Sequence, residues 1–387
     1  MLEKNLNKVI TTEKLPIKMW LETIEDEALG QARNLANLPF AFRQIAIMPD
    51  SHVGYGMPIG GVLATCGVII PNAVGVDIGC GVMSVKTSLT EIDESTLKDI
   101  MGQIRAVIPV GFNHNKEPRI WEGFARAPDI KIIQDELKSA RNQLGTLGGG
   151  NHFIEIQRGD DGHIWIMLHS GSRNFGFKTA KTYHMRAKEL CERWYSSIPH
   201  KDLSFLSMDS QDGQEYFSAM NYCLDFAEAN REEMMSQIVQ IVCSATASMT
   251  YQPSINVHHN YAVMEHHFGS NVMVHRKGAI RAYEGQLGIV PGSMGTSSYI
   301  TEGLGNEESF KSSSHGAGRK MGRKVATQTL NLAEEQEKMV GIVHGLRNQS
   351  DLDEAPGAYK SIDEVMANQA DLVRIVCKLQ PLAVIKG

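Results

Sequence analysis

The sequence predicts a mixed α+β fold, a single domain over residues 1–387 with a helical insertion at about 178–248. Apolar runs bounded by Gly and Pro, which read as strands, lie on both sides of a central helical block. Helices and strands therefore do not alternate as they would in a doubly wound sheet. No internal repeat, low-complexity tract or linker-like segment divides the chain. At 387 residues, 42% hydrophobic and 21% charged, the chain is long enough to bury a substantial core, and its composition is not that of a disordered or coiled-coil protein.

Strands are expected at about 45–49, 61–70, 82–87, 163–168, 271–275 and 279–290. A helix is expected over 130–144, where Ile130, Ile133, Leu137, Ala140 and Leu144 stack on one face just before a glycine cluster. Residues 178–195 and 213–248 also read as helical, the second long enough for a helical hairpin or a bent helix. Ser361 and Glu364 form a capping box for a helix running to about Leu379 and stopped by Pro381. The remaining apolar tail, Leu382 to Gly387, must be docked to be ordered.

Composition narrows function. Lys and Arg number 38 against 44 Asp and Glu, a net charge of −6, so any polyanion site must be local. The first 20 residues, with scattered charges and no apolar core, do not read as a secretory signal. Residues 57–76 carry no charge, but Pro58, Pro71, Asn72 and four glycines break a membrane span into two short buried strands joined by a turn. Cys66, Cys80, Cys191, Cys223, Cys243 and Cys377 are dispersed without a CxxC pair, so a reducing cytoplasm is the expected compartment.

Chemistry-bearing residues concentrate at the ends of the apolar runs, where a rigid scaffold presents functional groups. Asp77 and Cys80 share a tight Gly-flanked loop; two ligands at that spacing can reach one cation, and the thiolate favours Zn, Mn or Fe over Mg or Ca. The plain alternative is a buried cysteine beside a turn aspartate. His152 follows three glycines, and His169 ends an apolar run. His258 and His259 are neighbours, and in an extended segment at most one of them faces a common centre. His114, His163, His184, His200, His266, His267 and His344 lack such a setting and are expected in surface or packing roles. Around His315, the run Ser312-Ser313-Ser314-His315-Gly316-Ala317-Gly318-Arg319 removes side-chain bulk and offers amides and hydroxyls to a phosphate. A neutral imidazole there can attack phosphorus, with Arg319 and Arg323 holding anionic oxygens. General-base use of His315, or a structural histidine in a turn, are the other readings.

MPDSHVGYGMPIGG, VGVDIGCG, GTLGGGNHFIEI, MLHSGSRNFG, HHNYA, HRKGA, PGSMGTSSY, GLGNEESF, SSSHGAGR and VIKG occur in this order, and with them the sequence from about residue 15 onward resembles the RtcB family of GTP-dependent RNA-splicing ligases. The resemblance implies an α+β domain peculiar to the family with its active site in a cleft, and a centre of two Mn²⁺ ions. Its implied ligands are Asp77, Cys80, His152, His169 and His259, with Cys80 bridging. His315 is implied as the nucleophile that takes GMP from GTP. Asn151, Glu155, Ser293, Ser298, Gly316, Ala317, Gly318, Tyr359 and Lys386 are implied around the guanylate, Glu155 and Lys386 near the base. Asp50, Lys277, Arg173, Arg319 and Arg323 match positions near the RNA ends or their phosphates, Asp50 among the catalytic residues.

The implied partners are GTP and RNA bearing a 3′-phosphate or 2′,3′-cyclic phosphate and a 5′-hydroxyl, with an archease-type activator as a further candidate; a monomer and no membrane are expected. The sequence departs from the family at Ser51 and Ser313, where other small residues are common, and in a short Val110–Gly145 stretch that leans the expected substrate away from tRNA exon joining and towards repair of broken RNA. The rival readings are a two-metal RNA-end phosphoesterase using the same ligands without GTP, and a catalytically idle RNA-binding protein.

Overall fold

The structure, a computed structural model, describes residues 8–246 and 249–387. Two sheets stack face to face. The six-stranded sheet has the order Lys8–Ile10, Ile17–Met19, Ala41–His52, Ile59–Thr65, Ser270–Lys277, Asn260–His267, with one parallel pairing between Ile17–Met19 and Ala41–His52. The seven-stranded sheet has the order Ile255–His258, Gly81–Lys86, Ile164–Ser170, Phe153–Gly159, Val373–Lys386, Ser298–Gly303, Leu287–Val290, and every pairing in it is antiparallel.

Strict alternation explains why these strands read as continuous apolar runs. In Ile164–Ser170, Trp165 and Met167 enter the core between the sheets, while Ile164, Ile166 and Leu168 pack against the helices Glu94–Val107 and Gln211–Ala245. In Ala41–His52, Ala46 and Met48 face the inter-sheet core, and Ile45 and Ile47 join Leu35 of the helix Asp26–Ala36 on the outer side. The order is thus helix, sheet, sheet, helix. The same period places His169 on the face of Trp165 and Met167, and Glu155 and Gln157 on the face of Phe153, all toward the space between the sheets.

The helical block comprises Arg173–Arg193 and Gln211–Ala245. The latter is one 35-residue helix, not a hairpin: Ser210 caps it, and between Gly213 and Ala245 there is no glycine or proline to break it. The expected end of this helix at 247–248 lies outside the described residues, as do residues 1–7 of the N-terminal reading. Two expected strands divide: 61–70 into Ile59–Thr65 and Val68–Ile69 around Gly67, with Pro71 opening the helical turn Pro71–Val74, and 279–290 into Ala279–Arg281 and Leu287–Val290.

The largest correction concerns the C-terminal region. Ser361 does cap a helix, accepting the Glu364 N–H, but that helix ends at Asn368, and Val373–Lys386 is a strand between Phe153–Gly159 and Ser298–Gly303. Its β-branched residues find hydrogen-bonding partners on both sides, which local helical spacing could not reveal. Pro381, which has no N–H to give a ladder, sits where the register slips. Among the described residues no helix is long and apolar enough to cross a membrane.

Candidate active site

The loop carrying Asp77 and Cys80 follows the turn Pro71–Val74 and is closed by the Cys80 N–H on the Asp77 carbonyl at 3.1 Å. A buried arginine underpins it. Arg231 donates from Nη1 to the carbonyls of Gly79 and Ser170, each at 2.9 Å, and from Nε to Asn256 Oδ1 at 2.8 Å. Its Nη2 lies 3.0 Å from His258 Nδ1, which turns His258 away from the site. Neighbouring His259 points the other way, so one of the adjacent pair faces the centre.

Four ring and sulfur atoms converge in a buried cluster. Cys80 Sγ lies 3.3 Å from His152 Nε2 and 3.1 Å from His169 Nε2, which is itself 3.4 Å from His259 Nε2. Asp77 Oδ2 lies 3.1 Å from His152 Nε2. The His169 tautomer follows from its other nitrogen. The Asn151 carbonyl, 3.1 Å from Nδ1, can only accept, so Nδ1 carries the proton and the Nε2 lone pair aims into the cluster.

Burial, reinforced by the neighbouring imidazoles, holds His169 and His259 far below the ordinary histidine range. Burial alone would raise the Asp77 carboxyl, but the hydrogen bond and charge of His152 keep it below its usual value. Burial and then the Asp77 charge push the Cys80 thiol up, a shift that a bound cation reverses. Asp77 Oδ1 is buried with no hydrogen-bond partner. A thiol, neutral imidazole lone pairs and an unsatisfied carboxylate oxygen are together a donor set that fits a borderline transition metal.

His315 stands beside this cluster, directly after the strand Ser312–Ser314, its ring centroid 4.7 Å from that of His259. Asp50, fully buried on Ala41–His52, orients it: Oδ2 accepts the His315 backbone N–H at 3.1 Å and ring Nδ1–H at 2.6 Å. The Nε2 lone pair is left free. Gly278, at φ +63°, makes room for the ring; a Cβ there would lie 3.0 Å from His315 Cε1 and 2.3 Å from Ile59 Cγ2. Next to it, Lys277 donates from Nζ to the Tyr55 carbonyl at 2.7 Å, and burial brings its ammonium down to about 7.

Asp77, Cys80, His152, His169, His259, Lys277, Gly278 and His315 line a cleft of about 1210 Å³ together with Asn151, Gly316, Ala317, Gly318, Arg319, Arg323, Tyr359 and Lys386. Asp50, Glu155, Ser293, Ser298 and Arg173 are not among its lining residues. Arg173 is tied behind the glycine loop, donating to Thr146 Oγ1 at 3.0 Å and the Gly111 carbonyl at 2.6 Å. Ser293 Oγ pairs with Thr296 Oγ1 at 3.0 Å. Burial raises the Glu155 carboxyl to about 7 against the opposing pull of Lys386 and Gln157, and burial lowers Lys386.

Sequence reasoning missed several participants. Glu354, buried, accepts from Arg319 Nη1 at 3.0 Å, from Arg323 Nε at 2.7 Å and from the Tyr359 hydroxyl, so one carboxylate fixes three cleft residues. Nothing in its acidic surroundings, Asp351-Leu352-Asp353-Glu354, marks it. Asn260 joins two loops, donating to the Asp77 carbonyl at 3.1 Å and accepting the Gly278 N–H at 2.9 Å; its place in the HHNYA motif was the available signal. His52 and His200 also line the cleft, His200 as the exposed surface residue expected of it.

The arrangement defines a class: a two-sheet α+β protein whose cleft joins a cysteine–imidazole donor cluster fit for a cation to a histidine with a free ring nitrogen and a rim of arginines. Comparison with known proteins is specific. The family model described as tRNA-splicing ligase RtcB matches residues 31–387. The chain is 40% identical to the RNA-splicing ligase RtcB of Escherichia coli K12, over 98% of this chain and 99% of the relative. It is 32% identical to the tRNA-splicing ligase RtcB of Thermococcus kodakarensis, over 94% and 92%, and 31% identical to the RNA-splicing ligase RtcB of Mycobacterium bovis, over 92% and 100%. The chain belongs to the RtcB family.

Proposed function

We propose that this protein is an RNA ligase of tRNA splicing or RNA repair that joins an RNA 3′-phosphate or 2′,3′-cyclic phosphate end to a 5′-hydroxyl end at the expense of GTP. The observation that carries the reading is the pairing of His315 Nδ1 with buried Asp50, which leaves Nε2 free beside the cation cluster.

Asp77, Cys80, His152, His169 and His259 would hold two Mn²⁺ ions, which when bound neutralise charge developing on phosphate oxygens. His315 Nε2 attacks the α-phosphorus of GTP; the N–P bond forms as the bond to the bridging oxygen breaks, and pyrophosphate leaves. Asp50, accepting from Nδ1–H, holds the proton on the ring and stabilises the positive charge that builds there. An oxygen of the RNA 3′-phosphate, formed by water opening a cyclic phosphate where that is the starting end, next attacks the same phosphorus. The N–P bond breaks, His315 is regenerated and the RNA end becomes a 3′-pp-G. The 5′-hydroxyl then attacks the RNA 3′-phosphorus; the new P–O bond forms as the phosphoanhydride bond to GMP breaks, GMP departs, and the hydroxyl proton passes to water. Arg319, Arg323 and Lys277 carry the phosphates through these exchanges, while Glu155, Ser293, Ser298, Tyr359, Lys386 and the Gly316–Gly318 backbone hold the guanylate.

The test mixes the protein with α-labelled GTP and Mn²⁺ and looks for an acid-labile, alkali-stable protein adduct. It is expected in wild type and absent from His315→Ala; an adduct undiminished in the variant rejects the mechanism. RNA with 2′,3′-cyclic phosphate and 5′-hydroxyl ends then separates a ligase, which yields joined strands, from a phosphoesterase, which only trims them.

A further inference from the structure

We propose that Gln157 sets the direction in which hydrogen bonds run behind the cleft wall formed by Phe153, Gly292 and Lys386, and thereby selects guanine over adenine. The inference rests on the reading above, in which Glu155 and Ser298 meet the guanylate.

Gln157 is fully buried on Phe153–Gly159, two residues after Glu155 and so on the same face of the sheet. Both hydrogens of its amide nitrogen are used. Nε2 donates to Glu155 Oε2 at 2.6 Å and to Ser298 Oγ at 3.1 Å, reaching across Val373–Lys386 to the next strand but one. Ser298 Oγ also accepts the Gly292 N–H at 3.2 Å. A serine hydroxyl has two lone pairs and one proton. With both lone pairs engaged, Ser298 has only its proton to offer. Glu155, which already receives a hydrogen from Gln157 and faces the ammonium of Lys386, is left as an acceptor. With Glu155 ionised, turning the amide over would set its oxygen against the carboxylate, so in that state Glu155 fixes the orientation of Gln157, whose Oε1 stays buried without a hydrogen-bond partner, and Gln157 fixes the role of Ser298.

The result is one committed acceptor and one committed donor. Guanine presents N1–H and an amino group to the acceptor and O6 to the donor; adenine presents the opposite order, an acceptor at N1 and a donor at N6. A buried donor or acceptor left unpaired is what gives such sites their strongest discrimination. Gln157 needs no contact with the nucleotide. It is a positioning and specificity residue.

The experiment compares labelled GTP and ATP as donors for the His315 adduct in wild type and in Gln157→Met, which keeps the side-chain volume and removes the donor. The preference for GTP over ATP is expected to fall by about tenfold or more through a raised KM for GTP, with kcat at saturating GTP near wild type. An unchanged preference overturns the proposal, and so does an equal fall in kcat with KM unmoved. If that variant does not fold, Gln157→Leu carries the same comparison, and the base groups that are read are checked in wild type. Inosine triphosphate, which keeps N1–H and O6, is charged within about tenfold of GTP, while 2-aminopurine riboside triphosphate, which has neither, is charged at least about a hundredfold less; equal charging of the two overturns it. A wild-type protein that forms no adduct with GTP removes the ligase reading itself, a result distinct from either.

Discussion

Replacing Asp50 with asparagine tests the chemistry with the smallest change in shape. In the native site the carboxylate accepts from both the backbone N–H and ring Nδ1–H of His315, at 3.1 and 2.6 Å. Both hydrogens fall on the single oxygen Oδ2, while Oδ1 is buried with no hydrogen-bond partner, so asparagine keeps both contacts, and the Nδ1–H tautomer with them, through its own oxygen. What is lost is the negative charge that steadies the imidazolium as the N–P bond forms. Exchanging a charged acceptor for a neutral one costs about 1–2 kcal/mol, roughly 10-fold or a little more at 1.36 kcal/mol per decade. The expected result for Asp50→Asn is therefore a fall of roughly 10- to 30-fold in the rate of adduct formation, with KM for GTP close to wild type. Single-turnover labelling with α-labelled GTP reads the rate directly. An unchanged rate would show that the Asp50 charge takes no part, and the reasoning would be refuted.

The raised carboxyl of Glu155 gives a pH dependence with a definite sign. Its folded value of about 7 lies above its ordinary 4.5, so the folded state binds the proton more tightly, and acid favours the protonated form that cannot accept from guanine. KM for GTP is expected to fall as pH rises through about 7, and a KM flat from about 6 to 8 at saturating metal would contradict it. Gly171→Ala places a Cβ where it would meet Asp77 Oδ1 at 2.3 Å, forcing that carboxylate aside. Metal affinity, titrated calorimetrically, is expected to drop about 10- to 100-fold with the fold retained; an undiminished affinity counts against Asp77 as a ligand. Glu354→Gln leaves Arg319 and Arg323 without their shared buried anion and is expected to cost about 3 kcal/mol in urea unfolding, where a loss below about 0.5 kcal/mol would deny it a structural role.

The local chemistry was legible because a cleft built from strand ends advertises itself in short motifs. Glycines mark close approach, and Asp77, Cys80, His152, His169 and His315 stand at the junctions of apolar runs. The adjacency of His258 and His259 was enough to say that only one faces inward. What could not be read is what depends on partners remote in sequence. Val373 to Leu379 fits a helical or an extended pattern equally well, and only the strands on either side of it decide. The roles of Glu354 and Gln157 arise from contacts with Arg319, Arg323 and Ser298 that no spacing rule reports. Long unbroken apolar runs hid where Gly67 and Tyr283 to Gln286 would turn the chain.

The strand Val373–Lys386 has a consequence for quality control. It fills a slot between two strands from earlier in the chain and brings Lys386 to the wall of the cleft. A molecule in which this segment has not yet docked can own every cation-binding side chain and still offer two raw sheet margins and no ammonium beside Glu155. Under the proposed function, competence to take a nucleotide is in this way bound to completed folding.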